Sequence, residues 1–562
     1  MRHRRAVAVL GTVLGLVSGC APSEAPIFDD DGFDSARCPI LGDPVLCGGC
    51  DPRCFIIHDA PTGRDLTDEN GSLRFDLDRN GLVLCSICGF HTTAFITDWG
   101  ENTVSKIDLG IRRETGRYHV GWNPSAAAVD LHGNGYVVMT GEPVEVVAKV
   151  AGNRSSCVDR NLDGHIETST GPDVLTRGTD ECVLWTSDAA VGSCPRTVVL
   201  DSLERVWVGG WCTRQFYVID SRDGSLIETV PVAASAYDAA IGRDGVLWYS
   251  GRSHSVIQSI DTETFEVGPA IRPSCGGDLE GMVVDPEGRV WVICAHQPCR
   301  AARFDPRDGT WLNICDIPYP RTAHDVTIDS TRDVWISTHD AWTRYSGPSF
   351  AYEYNAGTGE RRREFAIPGC DGANGVASDY VNNIWFICHG SWTASALDPD
   401  TGHMTNVRVG AYPSTYSDFT GFLWNAVTGS PGWYSRLYDA TLACQNDERV
   451  IWSQLYFDVE IPDETRILFK GRTADRTSRL SAARQVPLGT VPGDRGPLDI
   501  GAALAEEGVP NGQRYFQVEV VLQSLDGRHS PVLRNMDMVF HCECACDEDR
   551  SCSAGCDCDD DC

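Results

Sequence analysis

Basic residues are scarce in this chain. Its 47 Lys and Arg face 79 Asp and Glu, a formal charge of −32. Such a field repels phosphate backbones and anionic headgroups, which excludes a nucleic-acid partner held by charge. Long hydrophobic runs are missing too. The one apolar stretch of note, Ala6 to Val17 behind the basic Arg2, Arg4 and Arg5, is too short to span a bilayer. What the chain holds in quantity is cysteine, glycine and tryptophan, 25, 56 and 15 of them. With 42% hydrophobic and 9% aromatic residues, wholesale disorder is excluded. A length of 562 residues allows several domains, or one large all-β body with additions. A reducing cytosol would leave so many thiols free and prone to oxidation, so the composition points outside the cytoplasm.

Behind the apolar run stands Leu16-Val17-Ser18-Gly19-Cys20, which resembles the bacterial lipobox. The resemblance implies that residues 1–19 are a lipoprotein signal peptide and that Cys20 becomes the lipidated first residue, tying the protein to the membrane through its acyl chains. The other reading is an ordinary signal peptide with a chance Cys at its end. Removing Cys20 leaves 24 cysteines, an even number. Ala21 stands where Asp is associated with inner-membrane retention, which implies an outer-membrane address in the cell envelope. Residues 20–70 then comprise the lipidated Cys, a linker and a Cys-rich N-terminal segment.

An aromatic residue among β-formers recurs along the chain: Val206-Trp207-Val208, Leu247-Trp248-Tyr249, Val290-Trp291-Val292, Val334-Trp335-Ile336 and Ile384-Trp385-Phe386, preceded by weaker copies at Phe95 and Tyr136. Successive anchors are 41, 71, 41, 43, 44 and 50 residues apart, near the repeat of a four-stranded propeller blade save for one long interval. Each unit has a strand ending in an acid (Asp201, Asp285, Asp329), a tight turn, the aromatic strand, and a third strand closing on Asp220, Asp261, Asp305 or Asp398. Gly224, Gly309 and Gly402 supply the positive φ such turns need. The expected fold is all-β: a seven-bladed β-propeller over 71–430, then a small β-sandwich over 444–542 and an acidic, Cys-rich tail at 543–562. The sandwich is read from Phe516, Val518, Val520 and Leu522 alternating with their neighbours, and from a second candidate strand at Arg466 to Gly471.

The unit Asp-x-x-Gly-x-[Val/Leu/Ile]-Trp, as in Asp285 to Trp291, is similar to the streptogramin-lyase (virginiamycin B lyase) and NHL propellers. That resemblance speaks for fold and weakly for function. Such a lyase uses a His and a Glu near a magnesium ion to remove a proton and open an ester by elimination. His324, in Ala323-His324-Asp325, matches the family's Pro-His-Gly position. The Glu three residues after each anchor is replaced by Gly210, Gly251, Cys294, Thr338 and Cys388, with only Asp98 acidic there.

The long interval, about 153–185, carries Asp159-x-Asn161-x-Asp163-Gly164-His165-Ile166. This spacing presents oxygen ligands and a turn glycine as an EF-hand-type calcium loop does, with the His165 carbonyl as a further ligand. Its last ligand position holds Thr170, so Glu167 or Asp173 must fill in. Structural calcium is the expected cofactor, and an acidic turn without an ion is the plain alternative. A second stretch, Asp76-x-Asp78-x-Asn80-Gly81, has half of such a loop and equally suits a hairpin. Cys157 and Cys182 bracket the first loop, and Cys444 and Cys542 bracket the sandwich, both plausible disulfides. Cys294 and Cys388, near His296 and His389, read either as a metal centre or as disulfides with Cys275, Cys299, Cys315 and Cys370. The terminal cysteines among acids read as a disulfide-knotted stub or a soft-metal site.

A propeller binds ligands at the mouth of its channel. Counting back ten or eleven residues from the anchors gives Ser125, Arg196, Asp238, Glu280, His324 and Asn374, with Asp418 as a closing member. The main reading is a monomeric cell-envelope lipoprotein, calcium-stabilised, binding a surface ligand, glycan or protein. The alternative is a metal-dependent lyase or hydrolase at the channel mouth, with His324, Glu280 and Asp238 as catalytic candidates. A purely structural surface protein is the third.

Overall fold

The computed structural model describes residues 54–59, 73–76, 78–84 and 92–544, the last excluding 131, 142, 296, 341–346, 425–431, 442, 445–447, 494–495 and 525–528. The expected signal peptide with Cys20, the expected linker and the tail from 545 onward lie outside the described residues. The chain divides into two units, 90–430 and 1–89 with 431–562.

In the unit 90–430 the described strands form seven antiparallel sheets of three or four strands, taken in chain order. Their first strands are Thr93–Asp98, Pro124–Val129, Pro195–Leu200, Asp238–Ile241, Asp278–Val284, Arg321–Ile328 and Ala373–Ser378. One pairing is not sequential. Residues 413–419 return to the first sheet, where the Phe95 amide donates to Phe419 O (3.0 Å) and the Ser414 amide to Thr97 O (2.9 Å). The other edge of the same segment meets the second sheet, the Ala127 amide donating to Tyr416 O at 3.2 Å. The first and last parts of the unit are thereby joined, a propeller-like arrangement that removes open sheet edges.

The repeated Asp and Trp have a common physical task. Asp201 takes the indole N–H of Trp207 at 2.8 Å on one oxygen and the amides of Leu203 and Arg205 (both 2.9 Å) on the other. Asp329 and Asp379 do the same for Trp335 (2.9 Å) and Trp385 (2.8 Å), and Asp130 does it for the hydroxyl of Tyr136 (3.0 Å). Each acid thus fixes a hairpin turn and satisfies a buried aromatic donor. Trp207, Trp291, Trp335 and Trp385 are fully buried, so their N–H groups need that partner. The fourth sheet has Gly242 in place of the acid, and Trp248 there packs edge-on against Phe304.

The long interval is explained by residues 151–182, which lie between the third and fourth strands of the second sheet, Val147–Val150 and Val183–Ser187. The Cys157–Cys182 disulfide closes its base. Its acids serve its own backbone. Glu181 takes the amides of Arg160 (2.7 Å) and Glu167 (3.0 Å), and Asp180 takes the amide and hydroxyl of Ser169 (2.8 and 2.6 Å).

The other unit has two sheets on one core. Gly432–Asp439, Tyr515–Ser524, Thr465–Ala474 and Val486–Val491 form one. The second is built on Val532–Cys544 and Glu448–Glu460. Phe516, Val518, Val520 and Leu522 are all buried in that core with Trp452 and Phe540, and Cys444 is bonded to Cys542. The expected start of the repeat body at residue 71 is corrected here. The hairpin Leu73–Asp76 and Gly81–Leu84 pairs through Leu82 and Val83 with Leu533 and Val532, because Leu73 and Leu82 are buried in this core. Asp76-x-Asp78-x-Asn80 is the turn of that hairpin. Asp76 accepts the amides of Asp78 (3.0 Å) and Arg79 (3.2 Å), and Asn80 takes a positive φ of 48°.

Candidate functional site

In five inner strands the register slips at one equivalent place, releasing Ser125, Arg196, Glu280, His324 and Asn374 from the regular ladder. A bulge of this kind re-aims a side chain. Each released residue stands three before the partner of the aromatic anchor: Val199 faces Trp207 and Val283 faces Trp291. In the fourth sheet Ala240 faces Trp248, so the equivalent residue is Tyr237 and not Asp238. Closure of the first sheet by 413–419 brings in Tyr416. The ring is therefore Ser125, Arg196, Tyr237, Glu280, His324, Asn374 and Tyr416. Sequence reasoning missed both tyrosines; an unvarying count of eleven residues back from each anchor identifies Tyr237.

Its centre is a hydrogen-bonded dyad. His324 Nδ1 lies 2.6 Å from Glu280 Oε2, and Arg252 holds the other carboxylate oxygen at 3.0 Å. His324 is 3% and Glu280 1% exposed. An ionised carboxylate only accepts, so it draws the imidazole proton to Nδ1 and leaves the lone pair on Nε2. His339 stacks on His324 with ring centroids 4.4 Å apart. Burial, then the neighbouring His324, push His339 down to about 3. It is therefore neutral, and its Nδ1–H donates to Ala373 O at 3.3 Å. Asn374 is buried, donates from Nδ2 to Ser414 Oγ at 3.3 Å, and has no hydrogen-bond partner for Oδ1 among the described residues.

Tyr237, beside Glu280 in the ring order, meets Tyr416. Their rings meet edge-on at 5.6 Å and their hydroxyls lie 3.3 Å apart. The Arg196 guanidinium carbon stands 4.9 Å from the Tyr237 centroid and 4.4 Å from that of Tyr416, and Arg252 lies 4.8 Å from Tyr237.

Asp238 belongs one residue deeper along its strand. It takes the Met282 amide (3.0 Å) and lies 3.3 Å from both Thr197 Oγ1 and Ser417 Oγ. Asp325 takes the Val376 and Val326 amides. Burial raises both acids, and for Asp325 the nearby Asp238 adds to the rise. With Asp418, pushed by burial to about 6, they line a central cavity of about 40 Å³. That volume holds a few waters.

The expected calcium site is corrected. Asp159 gives its oxygens to the amides of Leu162 (2.6 Å) and Gly164 (2.9 Å), Asn161 to Asp163 (3.0 Å), Asp163 to His165 (2.8 Å), and Glu167 to the Asn161 side chain (3.0 Å). Among the described residues, the one group of three metal-capable side chains with donor atoms gathered together is Cys444, Glu448 and Cys542. Two sulfurs and a carboxylate suit zinc or iron rather than calcium. Those sulfurs are moreover joined in a disulfide and are not thiolates, the form that ligates. Cys294 and Cys388 are likewise bonded, to Cys275 and Cys370. The magnesium implied by the family resemblance does not fit the ring either: Glu280 is the one carboxylate among its seven residues, it already accepts from His324 and Arg252, and the Arg252 and Arg196 guanidinium groups repel a dication.

No protein-family model and no curated protein matches the chain. Among solved structures it is similar to a catalytically inactive virginiamycin B lyase from Staphylococcus aureus with quinupristin, at 13% identity and TM-score 0.36, covering 59% of this chain and 95% of that one. A streptogramin B lyase is 11% identical, covering 59% and 94%, TM-score 0.39. Hydrazine synthase of Kuenenia stuttgartiensis is 13% identical, covering 57% and 92%, TM-score 0.40. The likeness is distant, partial and one of fold.

Proposed function

We propose that the protein is a lyase or hydrolase working by general acid–base catalysis at the ring of a seven-bladed β-propeller, which a β-sandwich follows in the chain. The observation that carries this reading is the buried His324–Glu280 pair, 2.6 Å apart with Arg252 on the second carboxylate oxygen. Glu280 orients the imidazole and stabilises its protonated form, as the acid of a catalytic triad does. In an elimination Nε2 takes a proton from carbon, that C–H pair becomes the new double bond, the adjacent C–O bond breaks, and the departing oxygen takes up a proton. In a hydrolysis Nε2 takes a proton from water as its oxygen adds to the carbonyl carbon; the ester C–O bond then breaks and the departing oxygen takes up that proton. Arg252, beside the dyad, faces charge that develops on a substrate oxygen. The dyad is nearly closed to solvent, so substrate entry requires the partly exposed Arg252 side chain to move. No metal takes part in this scheme, and the ligand-binding reading loses its calcium scaffold.

The test is turnover of a panel of esters and lactones, with products told apart as unsaturated or hydrated. His324→Gln and Glu280→Gln are expected to lower the rate by about a hundred- to ten-thousand-fold with the fold retained. Unchanged turnover in both variants sinks the proposal.

Export and lipidation at Cys20 belong to the same proposal. They are supported by Leu16 to Cys20 behind an apolar run and by six disulfides among the described residues. Labelled fatty acid should enter the wild type and not Cys20→Ala; equal labelling of both contradicts this.

A further inference from the structure

The chain has acids in large excess, 79 against 47 basic residues, and its arginines near the repeat turns and the ring are paired accordingly. Arg205 pairs with Asp201, Arg289 with Asp285, and Arg252 with Glu280 at 3.0 Å and Asp278 at 3.8 Å. Arg196 is the exception in the ring. It packs on the faces of Tyr237 and Tyr416 at 4.9 and 4.4 Å, gives one N–H to the Tyr237 hydroxyl at 3.2 Å, and has no carboxylate in ion-pair range among the described residues. A partly buried charge without a counter-ion is costly. A guanidinium has five N–H donors in a planar fork, so most of this one's donors are uncommitted. The aromatic contacts hold the plane of the fork fixed before any ligand arrives, which lowers the entropy lost on binding.

We infer that Arg196, held between Tyr237 and Tyr416, is a receptor for one carboxylate of the substrate, whose reacting atoms then lie toward His324. The inference rests on the catalytic reading of the dyad and names the class of molecule it acts on. A carboxylate suits a planar fork through two parallel hydrogen bonds. One guanidinium matches one negative charge, while the Glu280 carboxylate in the same ring repels a second. A phosphate dianion is therefore disfavoured. Asn374 Oδ1, buried in the ring without a partner, is placed to accept from an N–H or O–H of the same molecule, which adds a polar contact to the charged one.

The experiment measures binding of acetate, benzoate and D-galacturonate to the full-length protein by ligand-observed NMR. Each is compared with its own primary amide and with inorganic phosphate. At least one carboxylate should bind about tenfold or more tightly than its amide, and phosphate should not displace it at equal concentration. Arg196→Met should bring that carboxylate down to the level of its amide, and Arg196→Lys should retain part of the preference. If all carboxylates bind like their amides, if none binds, or if phosphate competes equally, the inference is overturned. The wild-type comparison holds whether or not Arg196→Met folds. His324→Gln separates the two proposals: it should keep carboxylate binding while abolishing turnover. Binding that depends on Arg196 in a protein with no His324-dependent turnover would leave the receptor standing and remove the catalytic reading.

Discussion

Asp98 ends its strand with no exposure, one oxygen accepting from Thr103 Oγ1 (3.0 Å) and Ser105 Oγ (2.8 Å) and the other without a partner among the described residues. Burial pushes its carboxyl to about 8, against 3.8 ordinarily, and the hydrogen bonds only partly offset this. The folded state therefore holds a proton that the unfolded chain releases above about pH 4. By linkage, the Asp98 contribution is fully present below that pH and is lost as pH rises toward 8, by up to several kcal/mol. Asp98→Asn should flatten the fall of melting temperature between pH 5 and 8; a slope equal to that of the wild type contradicts the assignment. The ring shows a finer limit at the same scale. His324, Glu280, Arg196 and Asn374 were legible because an aromatic anchor follows each at one spacing, whereas a count of ten rather than eleven chose Asp238 over Tyr237. Tyr416 has no anchor after it and is brought to the ring by pairing alone.

At the scale of the element, the recurring acid and indole act as a clasp on a hairpin. Asp329 accepts from Trp335 Nε1 (2.9 Å) and from the amides of Thr331 and Asp333 (both 2.9 Å). Asp329→Ala leaves a buried indole N–H unsatisfied and should cost about 1–3 kcal/mol, read as a lowered chemical-denaturation midpoint. An unchanged midpoint would mean that water replaces the acid at no cost. The clasp was visible in sequence because its spacing never varies. The bulges were not, since a slip of one residue changes pairing without changing composition. The 151–182 insertion misled for a related reason: the spacing that offers oxygens to an ion also offers them to the backbone amides of a tight loop. Asp159, Asn161 and Asp163 serve those amides.

For the whole molecule, the seven repeats were readable because each sheet is local in sequence. Five of the six described disulfides are local as well, spanning 16 to 25 residues, against 98 for Cys444–Cys542. What local pattern does not carry is long-range pairing. The hairpin at 73–84 joins the strand Val532–Cys544 more than 400 residues later, and nothing in its alternation distinguishes that partner from a neighbouring repeat. The closure by 413–419 is equally non-local, and it is what completes the ring in which His324, Glu280, Arg196 and the two tyrosines meet. The proposed function rests on that ring presenting a basic imidazole nitrogen. The most direct measurement is ¹⁵N NMR of the histidine rings in wild type and in Glu280→Gln. The account predicts that neutral His324 in the wild type carries its proton on Nδ1, with Nε2 as the lone-pair nitrogen, and that the preference weakens in the variant. A wild-type His324 protonated on Nε2 in its neutral form would contradict it.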